Sequence, residues 1–298
     1  MAVFPKDSPI TDSFSPIDHW QLRTRSLPLI GRPLLMGIVN VTPDSFSDGG
    51  KFFQTDRAVQ HALDLARDGA DILDIGGEST RPYSNPVALQ EELDRVVPVV
   101  EKIRAREDLI LSIDTSKVEV ARECVAQGVE IVNDVTGFCG DGAMVSLAAE
   151  SRVGVCAMHM QGTPQTMQDA PKYKNVVEDI FHYLSERRDS LVAAGISADR
   201  ICLDPGLGFG KTLAHNLELL RQIDRFHHLH CPLLVGHSRK GFIKKVLEAE
   251  LGKEFPIDPE AGTLGLSLFL ASRGAHVLRV HNIAMTRQAL ALFAAPGD

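Results

Sequence analysis

Along this chain, short apolar runs rich in β-branched residues alternate with longer stretches whose apolar positions recur at helical spacing. LLMGIVN (34–40) precedes DRAVQHALDLARDG (56–69), where Ala58, Val59, Ala62, Leu63, Leu65 and Ala66 share a helical face. DILDIGG (71–77) precedes LQEELDRVVPVVEKIRA (89–105), and LILSIDT (109–115) precedes KVEVARECVAQG (117–128), with Gly128 as a C-terminal stop. The pattern repeats with VEIVNDVTG (129–137) before DGAMVSLAAES (141–151), and with GVCAMHM (154–160) before NVVEDIFHYLSERRDSLVAAG (175–195). ICLDPGLGFG (201–210) precedes NLELLRQIDRF (216–226), PLLVGHSRK (232–240) precedes AGTLGLSLFLASRG (261–274), and HVLRVHNI (276–283) precedes TRQALALFA (286–294). These eight strand–helix units run without a linker or a break in composition. Near-continuous apolar strands separated by helices imply a parallel sheet covered on both faces. Eight of them in 298 residues predict an α/β fold, a closed (β/α)8 TIM barrel in a single domain. The barrel is expected over 28–298, and 1–27 reads as a polar, loosely ordered N-terminal extension.

Composition narrows the partners. A formal net charge of −8 argues against general nucleic-acid binding, which needs a basic face. No apolar run approaches the roughly 20 residues that span a bilayer, so no membrane partner is expected. The five cysteines are scattered, odd in number and never in C-x-x-C spacing, and they read as reduced thiols of a cytoplasmic protein.

Each apolar run ends, on its C-terminal side, in polar residues that a plain core strand does not need: Asn40, GGESTRP, Asp114, Asn133, MHM, Asp204, GHSRK and RVHNI. In a barrel those ends converge on one rim, where active sites sit. Singly, Asp114 could cap a helix and Asp204-Pro205-Gly206 could merely turn the chain. Together, Asp114, Asn133 and Asp204 can grip a flat heterocycle with adjacent N–H donors, such as a 2-amino-4-oxopyrimidine, and Lys240 can meet its carbonyl. Arg81, Arg279 and Lys240, with His281 as a further candidate, form a local anion site suited to phosphate or pyrophosphate. Asn40 and the loop TPDSFSDGG offer hard oxygens suited to Mg2+, while Asp44 and Asp48 serve equally well as turn residues.

LDPGLGFGKT (203–212) imitates a nucleotide loop and is not one. Counting back from Gly210 for a P-loop lands on Pro205, and the glycines are too closely spaced for G-x-G-x-x-G. Asp204 is its expected chemical residue, and Lys211 and Thr212 read as the start of the run into the next helix. In FHHLH (226–230), adjacent histidines point in different directions and precede a strand, which favours a solvated loop over a metal site. Met158 is read as pocket lining or as plain core.

The motifs GIVNVTPDSFSDGG, DIGGESTRP, SIDT, NDVTG, MHMQGTPQTMQ, DPGLGFGKT, GHSRKGFI and RVHNI, in this order from about residue 36 to the end, resemble those of the dihydropteroate synthase family. The resemblance implies condensation of (7,8-dihydropterin-6-yl)methyl diphosphate with 4-aminobenzoate, giving 7,8-dihydropteroate and pyrophosphate. It implies that Asp114, Asn133, Asp204 and Lys240 hold the pterin, and that Arg279 lies on the ring face and reaches the diphosphate with His281. It further implies Asn40 as an Mg2+ ligand, and Thr80, Arg81, Pro82, Ser238 and Phe209 around the aminobenzoate. A homodimer and competition by sulfonamides are implied as well. One departure stands out: the family's usual RVHDV is RVHNI here, with Asn282 in place of Asp. A methyltetrahydrofolate–corrinoid methyltransferase would use the DPGLG region but has no need of NVTPDSFSDGG or GGESTRP. A non-catalytic pterin-binding paralogue has only Asn282 to suggest it. Loops 41–53 and 78–88 are expected to close over the substrates.

Overall fold

The structure, a computed structural model, describes residues 17–42 and 51–295. An antiparallel hairpin, β1 (His19–Gln21) and β2 (Ser26–Pro28), leads into eight parallel strands. These are β3 (Leu34–Asn40), β4 (Ile72–Gly76), β5 (Leu111–Asp114), β6 (Ile131–Asp134), β7 (Gly154–Met158), β8 (Ile201–Asp204), β9 (Leu234–Gly236) and β10 (Val277–Val280). They bond in the order β8-β7-β6-β5-β4-β3-β10-β9. The ring closes where Leu203 bridges to Leu233 and its N–H donates to the Pro232 carbonyl at 2.9 Å. The expected (β/α)8 barrel is therefore the observed architecture.

Around it lie α1 (Lys51–Arg67), α2 (Leu89–Arg104), α3 (Val118–Ala126), α4 (Gly142–Ser151), α5 (Val176–Ala193), α6 (Leu213–Arg221), α7 (Gly241–Leu251), α8 (Pro259–Ser272) and α9 (Ile283–Ala294). The strands stop earlier than the apolar runs suggest, because residues such as 205–210 and 237–240 leave the sheet to form rim loops. A helix not foreseen, α7, starts immediately after Lys240, so two helices rather than one separate β9 from β10.

Side-chain parity along the strands organises the packing. Leu35, Val39, Leu73, Ile75, Ile113 and Val132 face outward into one large core shared with the helices. Met36, Ile72, Ile131, Cys156, Cys202, Leu234 and Val277 face inward and fill the lower barrel. That inner cluster is sealed by Trp20 and Leu22, both fully buried, with the Trp20 indole N–H donating to the Arg200 carbonyl at 2.9 Å. Residues 17–27, expected to be the loose end of an extension, instead form a plug across the N-terminal mouth of the barrel. One large aromatic buries more apolar surface than the surrounding polar residues can offset, so it docks.

Candidate active site

Following the inward parity upward, several strands change from apolar to polar toward their C-terminal ends, while β7 ends in Met158 and β9 in Gly236. Ile72 is followed by Asp74, Ile131 by Asn133, Cys202 by Asp204 and Val277 by Arg279. These four, with Asp114 at the end of β5, converge inside the upper barrel. Arg279 donates from Nε to Asp74 Oδ2 at 2.6 Å and from Nη2 to Asp114 Oδ2 at 2.7 Å. Asn133 donates from Nδ2 to the same Asp74 oxygen at 3.0 Å, so its amide presents Oδ1 as an acceptor. Asp204 accepts the Gly206 N–H at 2.7 Å on Oδ1, which leaves Oδ2 for another donor. A side chain built at Gly236 would meet Asp204 Oδ2 at 3.8 Å and Arg279 Cδ at 3.9 Å, which locates the two groups on either side of one small space.

Burial sets the protonation of this group. Desolvation pushes Asp114 up to about 7, against the opposing pull of Arg279, and pushes Asp204 up to about 6. Lys240 is pushed down to about 8 by desolvation and by the Arg279 charge. The guanidinium of Arg279 stays charged, since Asp74 and Asp114 outweigh its burial. Acceptors and donors thus share one pocket, with the titratable members poised near neutrality, a common mark of functional sites.

The loop 204–211 is shaped by close backbone approach. Gly206 has φ +67 and Gly210 φ +60, and a Cβ at these positions would lie 2.0 Å from the His159 carbonyl oxygen and 2.6 Å from that of Gln161. Only glycine lets the two rim loops touch in this way. Lys211 does more than the sequence reading allowed. It is 3% exposed, and its Nζ donates to the Phe209 carbonyl at 2.8 Å and lies 3.1 Å from His159 Nδ1. Desolvation pushes it down to about 7 and pushes His159 down to about 2, so the histidine is neutral and able to accept. Thr212 is the N-cap of α6 and forms a reciprocal capping box with His215. Lys211→Ala, expected from sequence alone to do little, is now expected to orphan buried acceptors and open a cavity. A cost of about 2–4 kcal/mol should lower the melting temperature by roughly 5–10 °C. Differential scanning fluorimetry reads this directly, and an unchanged transition would show that Lys211 is not holding the loop.

Met158, Met167 and Phe209 form a small apolar cluster of their own, with Val135 and Met160 against it, separate from both barrel cores. Met158 is therefore not part of the main core, and Met167 joins it from a loop that the apolar pattern does not single out. Lys240 Nζ sits 3.8 Å from the centroid of the Phe209 ring, a cation–π contact that steers the ammonium. Thr80 and Asp114 line a cleft of about 200 Å³ together with Val135, Met160, Pro164 and Gln165. Arg81 and Pro82 are exposed on the adjoining loop, which is tied across the rim by Tyr83 N–H donating to the Pro164 carbonyl at 2.9 Å. The other loop expected to close, 41–53, lies outside the described residues over 43–50, and Asp44 and Asp48 with it.

Ser238 and His281 touch. The Ser238 hydroxyl lies 2.9 Å from His281 Nδ1. Desolvation and the nearby charges of Arg239, Arg279, Arg81 and Lys240 push His281 down to about 3. His281 is thus a neutral hydrogen-bonding group here and does not add to the cation count. Asn282 caps α9, its Oδ1 accepting the Met285 N–H at 3.0 Å. Asn and Asp serve about equally well at that position. The departure from RVHDV is therefore accommodated by the same capping geometry.

A sequence profile for pterin binding enzymes matches residues 36–281. The dihydropteroate synthase of Escherichia coli (strain K12) is 46% identical over 261 residues, covering 88% of this chain and 90% of that one. The chain belongs to the dihydropteroate synthase family. Among solved relatives, the Xanthomonas albilineans dihydropteroate synthase in complex with 7,8-dihydropteroate is 42% identical, with TM-score 0.82 over 94% of this chain and 98% of that one. The Yersinia pestis dihydropteroate synthase in a sulfonamide drug complex is 43% identical, with TM-score 0.84 over 94% and 99%. No helix among the described residues is long and apolar enough to cross a membrane.

For a dihydropteroate synthase, sequence reasoning missed one buried ionisable residue in the pocket, Asp74, and misread another, Lys211. Asp74 carried a usable signal: it shares strand parity with Asn133, Asp204 and Arg279. Asn40, at the end of β3, has the same parity, is partly exposed, and places a hard amide oxygen at the rim. Among the described residues no group of three His, Cys, Asp or Glu is arranged to hold a metal. The histidines of FHHLH lie in a 3-10 helix (Ile223–Leu229) and the residue after it, where His227 Nε2 is 2.9 Å from the Arg273 carbonyl.

Proposed function

We infer that the protein transfers the (7,8-dihydropterin-6-yl)methyl group from its diphosphate to 4-aminobenzoate, releasing pyrophosphate and 7,8-dihydropteroate. Family membership supplies the reaction, and the convergence of Asp114, Asn133, Asp204, Lys240 and Arg279 inside one barrel mouth carries its assignment to this site. Asp204 Oδ2 accepts from the pterin's exocyclic amino group and adjacent ring N–H. Asn133 Oδ1 and Asp114 accept from the remaining ring donors, and Lys240 donates to the ring carbonyl. Met158 and Phe209 supply an apolar wall, and Arg279 covers a ring face.

The carbon–oxygen bond to the diphosphate breaks with its electron pair going to pyrophosphate, and the dihydropterin ring stabilises the methylene cation. Arg279 and Lys240 stabilise the departing anion, and neutral His281 hydrogen-bonds to it. Asp114, still ionised in part at neutral pH, offsets positive charge spreading into the ring. The amino nitrogen of 4-aminobenzoate then attacks the methylene carbon and loses a proton, so no enzyme nucleophile is required. Thr80, Arg81, Pro82 and Ser238 border that second substrate and keep water from the cation, and sulfonamides compete there.

Magnesium fits the donor set as a metal that arrives with the diphosphate. Asn40 offers a single hard oxygen, and Mg2+ commonly keeps several waters and takes the rest from phosphate. When bound, it neutralises charge on the leaving group. The remaining parts of this reading are a cytoplasmic location and a homodimer.

The pH dependence follows from burial. Pterin binding needs Asp204 ionised and Lys240 protonated. Carboxylates raised to about 6 and 7 lose their negative charge as pH falls through that range. A lysine lowered to about 8 loses its positive charge as pH rises through it. A bell-shaped profile of kcat/KM for the pterin diphosphate is expected, with its maximum between those limits. A flat profile from pH 5.5 to 9 would contradict it. Pyrophosphate release, measured with Mg2+ and with or without 4-aminobenzoate, tests the reaction itself, and no release above background would sink it.

A further inference from the structure

Among the described residues, Asp74 is a carboxylate of the upper barrel that the transfer reaction, as assigned above, does not employ. It is fully buried at the middle of β4. Its Oδ2 takes two hydrogen bonds, from Arg279 Nε at 2.6 Å and from Asn133 Nδ2 at 3.0 Å. Its Oδ1 is buried and has no protein donor. The compensation of a buried charge thus comes from two residues on two other strands, β6 and β10, and both belong to the pterin set. A buried anion so placed holds both partners, since releasing Arg279 leaves the charge unpaired and releasing Asn133 strips one of the two hydrogen bonds on the same oxygen.

We propose that Asp74 is a positioning residue for the transfer reaction: it anchors Arg279 through Nε and orients the Asn133 amide, so that the guanidinium presents its Nη edge and the amide its oxygen to the pterin diphosphate. The proposal rests on the reading of the site as a dihydropteroate synthase centre. Its geometric core is the division of labour on Arg279. Nε points to Asp74, which is 0% exposed, while Nη2 reaches Asp114, whose side chain is 12% exposed. The inner contact is the fixed one, and the outer contact is with a group that also meets substrate. A guanidinium fork suits this because its donors lie in one rigid plane, so holding Nε sets the direction of both Nη groups. The shared oxygen couples the two orientations. If the Arg279 bond is lost, Asn133 keeps only an over-charged, poorly compensated partner, and if the charge is lost the amide is free to turn over and present N–H where an acceptor is needed.

The test is Asp74→Asn in the full chain, a change of charge at almost constant volume. Steady-state kinetics are run against each substrate in turn, together with the thermal transition. The expected result is a KM for the pterin diphosphate raised at least about tenfold and kcat lowered, with the KM for 4-aminobenzoate within about twofold of the parent. A merely structural role would move both KM values together or neither. If the pterin KM stays within about twofold of the parent, or if both KM values rise in proportion, the proposal is overturned.

A second measurement needs no substitution. In the parent protein labelled with nitrogen-15 in arginine, the Arg279 Nε–H signal, assigned with Arg279→Lys, is expected to be protected from solvent exchange and to remain so on titration with the pterin diphosphate, while the Nη signals shift. An Nε–H that exchanges freely, or that is lost on titration, contradicts the anchor even if Asp74→Asn fails to fold. Failure of the underlying reading is distinguishable, because it would appear as a parent protein that makes no dihydropteroate.

Discussion

Asp204→Ala is expected to lower kcat/KM for the pterin diphosphate by about a thousandfold or more, because a charged acceptor facing two ring donors is removed from a buried site. Two things happen at once at this position. The ligand loses its partner for the amino group and ring N–H, and the Gly206 N–H, 2.7 Å from Asp204 Oδ1, loses the bond that sets the loop 204–211. Asp204→Asn separates them, since an amide oxygen still accepts from Gly206 but places an NH2 group against the pterin's own donors. The alanine variant should therefore show both a lowered melting temperature and the kinetic loss. The asparagine variant should keep the melting temperature and most of the kinetic loss. Steady-state kinetics beside a thermal scan decide the matter, and an asparagine variant with parental kcat/KM would remove Asp204 from pterin recognition.

Arg279→Ala carries the other large effect, and there activity and stability should fall together. The guanidinium compensates Asp74 and Asp114, and its deletion leaves two carboxylates in the barrel interior without their partner. Breaking a buried pair from the basic side costs on the order of 3–5 kcal/mol. Part of that cost is avoided by protonation, since Asp114 is already raised to about 7 and loses its main opposing influence when Arg279 goes. Stability should consequently be better retained at pH 6 than at pH 8. The sign follows from linkage: a carboxylate whose folded pKa lies above its unfolded value binds protons more readily when folded, so its stabilising contribution is full at low pH and is lost as pH rises through the folded pKa. For kcat, loss of a cation at the departing pyrophosphate should cost about a thousandfold. A variant with normal kcat and only a lower melting temperature would make Arg279 a structural residue alone.

The barrel was legible in the chain because each of its units repeats the same contrast, an apolar run that must be covered on both faces followed by an amphipathic helix that covers it. The rim was legible because Asp114, Asn133 and Asp204 break the apolar runs at equivalent points. What was not legible depended on contacts made only when the sheet closes. Asp74 lies 205 positions from Arg279 along the chain, and within DILDIGG it reads as a single polar break. Lys211 meets His159 across 52 positions, and nothing in GKTLAHN marks its ammonium as buried. Trp20 sits in a polar stretch, so the plug at the N-terminal mouth has no periodic pattern to announce it. By residue type His281 counts with the cations, but its burial and the positive charge around it keep it neutral.

The most direct measurement is the identity of the product. With purified protein, Mg2+, (7,8-dihydropterin-6-yl)methyl diphosphate and ring-labelled 4-aminobenzoate, mass spectrometry should detect labelled 7,8-dihydropteroate accumulating in equal amount to released pyrophosphate. Pyrophosphate appearing with only hydroxymethyl-dihydropterin, or no turnover of either substrate, would contradict the assignment of this barrel as a dihydropteroate synthase.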